Sequence, residues 1–201
     1  MHYFIGNLGH LFVILSMVAS LVAAFAYWKN FYSTDPLKKE GWLKNARTAF
    51  YVHSVAVLGI VAVLYTIIQQ HYFEYHYAYS HSSLHLPSQY MISCFWEGQE
   101  GSFLLWMFWQ AVLGLILVHT QRNWEAPVMI VFALVQGFLA SMILGVVIPW
   151  ADFKIGSSPF ILLRDAMSDP IFKTNPDFIP KDGHGLNALL QNYWMVIHPP
   201  T

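Results

Sequence analysis

Residues 8–28 read Leu8-Gly-His-Leu-Phe-Val-Ile-Leu-Ser-Met-Val-Ala-Ser-Leu-Val-Ala-Ala-Phe-Ala-Tyr-Trp28, an apolar run with no formal charge. At 1.5 Å per residue such a run crosses a hydrocarbon layer of roughly 30 Å as one helix. A secretory signal carries its positive residues ahead of the apolar core, whereas here the first lysine, Lys29, follows it. The first helix therefore stays in the membrane. Further runs of spanning length lie at 49–69, 103–119 and 128–150.

Composition agrees. Of 201 residues, 56% are hydrophobic, 17% aromatic and only 10% charged, against about 25% charged in ordinary soluble domains. The fold class is an all-α integral membrane protein, one membrane domain over 1–201 with four spans. The net charge of −1 and the lack of a basic patch exclude a nucleic-acid partner, leaving membrane lipid as the first environment. The single cysteine, Cys94, excludes an internal disulfide and a Cys-x-x-Cys site.

Orientation follows from charge. The connection after the first span holds Lys29, Lys38, Lys39, Lys44 and Arg47 against Asp35 and Glu40, and short loops rich in Lys and Arg stay on the cytoplasmic side. The N-terminus and the segments 70–102 and 151–201 are thus expected outside, with the acidic residues Glu74, Glu97, Glu100, Asp152, Asp165, Asp169, Asp177 and Asp182. These outer segments are aromatic and are expected to fold over the bundle mouth, with short interfacial helices around 88–94 and 159–167.

Four constellations could carry chemistry. The first is Trp96-Glu97-Gly98-Gln99-Glu100-Gly101-Ser102. Its glycines permit tight backbone near a ligand, Ser102 is placed to cap a helix beginning at Phe103, and that helix start could receive an anionic group. The same pattern also suits a plain capped helix start. The second is His71, His76, His81 and His85, of which the last two share a face if helical. Ser82, Ser83 and Pro87 argue against that helix, and no Cys or carboxylate completes a metal set. The third is His53 and His119 inside the spans, either paired haem ligands or interfacial rings bonded to carbonyls. His10 is a further intramembrane histidine.

The fourth is Gly185-Leu186-Asn187-Ala188-Leu189-Leu190-Gln191 followed by Ile197-His198-Pro199-Pro200. A residue ahead of proline is biased away from the α region, and prolines suit a first helical turn. His198 is therefore expected outside the α region, at or beside the N-cap of a helix that starts at the proline pair. Axial iron ligand, proton carrier and interfacial anchor all remain open for it. Asn187 and Gln191 are available as supporting hydrogen-bond partners.

Two of these motifs, in this order, resemble the cytochrome c-type biogenesis haem lyases. Trp96 to Trp106 is similar to that family's Trp-Gly-x-x-Glu-Gly-Ser-Leu-Leu-Leu-Trp, and residues 185–191 with 197–200 to its Gly-Leu-Asn-Pro-Leu-Leu-Gln and His-Pro-Pro. Glu97 stands where the family has glycine, Gln99 where it often has histidine, and Ala188 where it has proline. The resemblance implies a multi-pass protein of the bacterial inner membrane that binds haem at its outer face. It implies partners too: a membrane-anchored haem chaperone, apocytochrome c, other maturation subunits and the remainder of the lyase. On it, His198 is one axial metal ligand, with Trp96, Glu97, Glu100, Ser102, Asn187 and Gln191 shaping or supporting the haem cavity. The family's second outer ligand and the ligands of its structural haem b come after His-Pro-Pro. The expectation is thus an N-terminal piece of a longer lyase, a split subunit or a gene fragment, incomplete as a catalyst by itself. Two other readings compete. One is an electron-transfer subunit with haem b on His53 and His119; the other is a solute transporter, for which the spans offer no broken helix or midplane charge.

Overall fold

A computed structural model of the chain describes residues 2–121, 123–148, 150 and 153–198. Four helices in it are long and apolar enough to cross a membrane: α1 (Tyr3–Tyr32), α2 (Pro36–Gln69), and, after the short helices α3 (His76–His81) and α4 (Cys94–Glu97), α5 (Gln99–Thr120) and α6 (Glu125–Met142). The protein is an all-α membrane protein with one small hairpin of β1 (Val146–Ile148) and β2 (Phe153–Ile155). Three short helices follow, α7 (Leu163–Ala166), α8 (Pro170–Thr174) and α9 (Tyr193–Ile197).

The ends of the long helices depart from the runs of apolar residues. Helix α2 begins at Pro36 rather than near residue 49, because Asp35 caps it by accepting from the N–H of Leu37 at 3.0 Å and Pro36 occupies its first turn. Lys38, Lys39, Lys44 and Arg47 therefore lie on helix, not on a loop. Helix α5 starts at Gln99, four residues before Phe103. Helix α6 ends at Met142, well short of residue 150. Gly145 beyond it has φ +66°, a conformation suited to glycine, and the β-branched Val146, Val147 and Ile148 turn into the hairpin. Its register pairs Val146 with Ile155, Val147 with Lys154 and Ile148 with Phe153.

Small residues let the spans approach closely, as they do where lipid removes the hydrophobic drive between helices. Ala19, Ala23, Ala24 and Ala26 of α1 and Ala133 and Ala140 of α6 are buried. The ring of Phe12 packs onto Gly59 of α2, and that of Phe50 onto Gly114 of α5. At one end of the bundle, Glu125 is 2% exposed and holds Arg47 by both guanidinium contacts, at 2.7 and 2.6 Å, with the Tyr27 hydroxyl donating at 3.1 Å. This end also carries Lys29, Lys38, Lys39 and Lys44 and is called the basic end.

The opposite, aromatic end is covered by the two long segments. They zip together where the N–H of His76 donates to the carbonyl of Ile161 at 3.0 Å and that of Leu163 to the carbonyl of Glu74 at 2.8 Å. The N-terminus is tied in as well. Glu74 accepts from the backbone and the ring of His2 at 2.9 and 2.8 Å, and the Tyr75 hydroxyl donates to the His2 carbonyl while accepting from the Gly6 N–H. The expected interfacial helices reduce to a 3-10 turn at Ser88–Tyr90 with α4, and to α7.

Candidate functional site

The aromatic end brings together two motifs that are far apart in sequence. Glu97, at the end of α4, accepts from the backbone N–H of Asn187 at 2.8 Å with one oxygen and meets Nδ1 of His81 at 3.1 Å with the other. Its side chain is 13% exposed and that of His81 23%, so the pair is largely shielded from water. Asn187 caps the 3-10 turn Ala188–Leu190, accepting from the N–H of Leu189 at 3.0 Å, and Gln191 folds back to donate to the carbonyl of Leu186 at 3.0 Å. Asn187 and Gln191 thus both shape the segment that Glu97 ties down.

The two glycines of the first motif answer to a side chain. Tyr77 of α3 lies against both, its hydroxyl donating to the carbonyl of Phe95 at 2.8 Å and accepting from the N–H of Gly98 at 3.2 Å. A Cβ on Gly98 would meet the Tyr77 ring at 2.5 Å, and one on Gly101 would strike the Tyr77 hydroxyl and the Phe95 carbonyl. Burial, reinforced by the charge of Glu100, pushes the Tyr77 hydroxyl well above the usual phenol range, so it stays protonated as a donor. Ser102 does not cap a helix at Phe103. It lies inside the first turn of α5 and its hydroxyl donates to the Trp96 carbonyl at 2.8 Å, while Gly98 stands at the N-cap. Trp96 is buried and lines an apolar hollow of about 220 Å³ with Val61, Tyr65, Phe95 and Trp109.

The four histidines of residues 71–85 separate. His81 goes to Glu97, His85 approaches Asp182 at 3.8 Å, and His76 faces Ser80. Burial lowers the pKa of His76 and so favours its neutral form, although the Glu100 charge acts in the opposite sense. No cluster of three or more metal-ligating side chains occurs among the described residues. Cys94 is buried, and its thiol is pushed up to about 12 by that burial.

His53 and His119 are not brought together. Nδ1 of His53 donates to the carbonyl of Ser16 on α1 at 2.8 Å. The His119 ring bonds its own helix at Leu115 and lies beside Tyr51. Tyr51 and His53 are two residues apart on α2, about 200° around the helix. A haem bracketed by the two histidines is therefore not supported. His10 takes its place beside Ser158 at 3.3 Å, with the Phe160 ring edge-on at 5.7 Å.

His198 also departs from expectation. It has φ −69° and ψ −44° and closes α9 as its C-cap, its N–H donating to the carbonyl of Trp194 at 2.9 Å. The i to i−4 bond outweighs the bias that a following proline imposes. Pro199 and Pro200, and with them the expected helix start, lie outside the described residues, as does Asp152. The continued turn sets His198 on the same helix face as Trp194, which is 68% exposed. Tyr77 and His81 hold much of this site together, and Trp194 shares a helix face with His198. The four-residue spacing of Trp194 and His198 was the signal for Trp194; Tyr77 offers none beyond its Tyr/His-rich surroundings.

No family model matches the chain. It is 28% identical to the cytochrome c-type biogenesis protein CcmF of Haemophilus influenzae, over 98% of this chain and 27% of that one. It is also 28% identical to CcmF of Pseudomonas fluorescens, over 98% and 26%. A solved structure of the cytochrome c haem lyase CcmF superposes with a TM-score of 0.63 at 22% identity, over 73% of this chain and 24% of that one, and so shares the fold. The chain spans about a quarter of the length of these relatives. With two motifs in family order and likeness over nearly its whole length, the chain is similar to the cytochrome c-type biogenesis haem lyases, the family of cytochrome c maturation protein F.

Proposed function

We propose that this chain is part of a cytochrome c haem lyase of the bacterial inner membrane and handles haem at the outer face, with His198 as an axial ligand. One observation carries the reading: Glu97 of the Trp-Glu-Gly motif hydrogen-bonds the backbone of Asn187 in the segment leading to His198, so the two family motifs form one unit. The charge distribution supports the orientation, since the basic end holds Lys29, Lys38, Lys39, Lys44 and Arg47 and short basic connections stay in the cytoplasm. The N-terminus and the aromatic end then face out.

The residues fit a haem in donor type and in surface. His198 is an exposed imidazole, and Trp194 on the same helix face, with exposed Tyr193 and Leu189 nearby, offers the flat apolar surface that a porphyrin covers. When bound, haem supplies the iron and the vinyl groups through which it is joined to apocytochrome c. This chain's residues position it: Glu97 and His81 hold the arm, Asn187 and Gln191 shape its turn, and Trp96 and Ser102 fix the start of α5 beneath. Glu100 contributes negative charge beside His76 and Tyr77. The haem chaperone, the other maturation subunits, the remainder of the lyase and apocytochrome c are the partners of this reading.

The test is His198→Ala in the membrane-embedded lyase. Copurified haem and covalent haem in cytochrome c are both expected to fall. Normal haem content together with normal maturation would overturn the proposal.

A further inference from the structure

At membrane depth the bundle contains two buried hydrogen-bond acceptors on neighbouring side chains. His53 and Gln136 are both fully buried. Nδ1 of His53 lies 2.8 Å from the carbonyl oxygen of Ser16, which can only accept, so Nδ1 carries the proton. In the neutral ring Nε2 is then a lone pair. Gln136 donates its amide N–H to the carbonyl of Met107 at 2.9 Å, which fixes which way the amide points and leaves Oε1 as an acceptor. The Gln136 side chain lies beside the imidazole. Neither Nε2 of His53 nor Oε1 of Gln136 has a partner among the described residues.

The surrounding hydroxyls are not available. Ser16 donates to Val13, Ser20 to Met17 and Ser54 to Phe50, each within its own helix. The groups bearing on the imidazole from each packed element are Ser16 of α1, Gln136 of α6 and, on α2 itself, the Phe50 ring at 5.7 Å; none of them is charged. Two neighbouring acceptors in a low-dielectric interior cost free energy until a donor reaches them, on the order of 1–3 kcal/mol for each unsatisfied group.

We infer that His53 and Gln136 form a binding site for one exogenous hydrogen-bond donor, which joins α2 to α6 while Nδ1 joins α2 to α1. Two species supply that chemistry. A water molecule donates one O–H to Nε2 and the other to Oε1. A proton on Nε2 instead turns the ring into an imidazolium that donates directly to Oε1. The site is independent of the haem assignment, since it lies between spans and uses none of the residues of the aromatic end.

Nitrogen NMR on the full protein in lipid bilayers, labelled with ¹⁵N-histidine, tests the inference, with the His53 signals identified by subtraction of a His53→Asn spectrum. The expected result is a protonated Nδ1 and an Nε2 displaced from the position of an unbonded ring nitrogen. Cross-relaxation of Nε2 with water identifies the water form, and two protonated ring nitrogens identify the proton form. Gln136→Met removes the second anchor and is expected to return Nε2 toward the unbonded position. An unbonded Nε2 in the unsubstituted protein, or a ring protonated on Nε2 alone, overturns the inference. The unsubstituted spectrum decides even where Gln136→Met fails to fold.

Discussion

Replacing Glu97 by alanine removes a side chain that ties the arm of residues 182–198 to the Trp96–Ser102 motif. Two contacts disappear, the 2.8 Å bond from the Asn187 N–H and the 3.1 Å contact with His81. A hydrogen bond to a charged group contributes about 1.5–3 kcal/mol. Asn187 is exposed, so water replaces part of its bond and the low end of that range applies there. The His81 contact adds a fraction of a kcal/mol, because both side chains retain some exposure. Opening of the arm should therefore become easier by about 2 kcal/mol, roughly a 30-fold loss of amide protection. Hydrogen exchange read by mass spectrometry over residues 187–191 measures it. Glu97→Gln keeps a neutral acceptor for the Asn187 N–H and should lose only about fivefold, near 1 kcal/mol. Exchange in Glu97→Ala within about threefold of the unsubstituted protein would refute the reasoning, since the bonds from His184 and Gly185 to α3 would then hold the arm without Glu97.

Two further outcomes follow from buried groups. Cys94, with its thiol pushed up to about 12 by burial, has a thiolate fraction of about 10⁻⁴ at pH 8, so maleimide labelling of the folded protein should be negligible there and appear on denaturation; rapid stoichiometric labelling at pH 8 would contradict this. Arg47→Met leaves the Glu125 carboxylate, 2% exposed, with only the Tyr27 hydroxyl, and should cost about 3 kcal/mol in equilibrium unfolding in micelles, whereas Arg47→Met with Glu125→Met should recover most of that loss. Additive losses in the double variant would show that the two charges are not coupled.

The spans were legible because uncharged apolar runs of that length have few other solutions, and those runs lie within α1, α2 and α5 and, up to Met142, α6. Their ends were not, since helix continues wherever capping permits and ignores the lipid boundary. Asp35-Pro36 is a capping signature that lies well before the apolar run of α2, and Gly145 stops α6 inside an apolar stretch that counting alone carries on to residue 150. At the site, Glu97 and Asn187 were each legible as candidates. Their bond was not, because ninety residues separate them and nothing local encodes the contact. Gly98 and Gly101 announced a close approach without naming its partner, which proved to be Tyr77. His198 was misread in conformation because a pairwise bias before proline was weighed without the competing bond to Trp194.

The short helix α3 explains how an arm so far along the chain can be placed accurately over the bundle. Within residues 76–82 it reaches three separate parts of the structure. The Tyr77 hydroxyl bonds the start of α5 through Phe95 and Gly98, and the His76 N–H bonds Ile161. The carbonyls of Tyr79 and Ser82 accept from the N–H groups of His184 and Gly185, and His81 reaches Glu97. The Gly185 bond requires φ +83°, and Gly183 packs so closely on Tyr79 and Ser82 that a side chain there would collide with their carbonyls. The glycines flanking His184 are thus explained by α3, as those flanking Gln99-Glu100 are explained by Tyr77. Both glycine pairs serve one joint. Since the α4–α5 junction and the arm are each bonded to α3 and, through Glu97 of α4, to each other, the linkage forms a closed triangle, and displacing the arm that leads to His198 must break bonds on two of its sides.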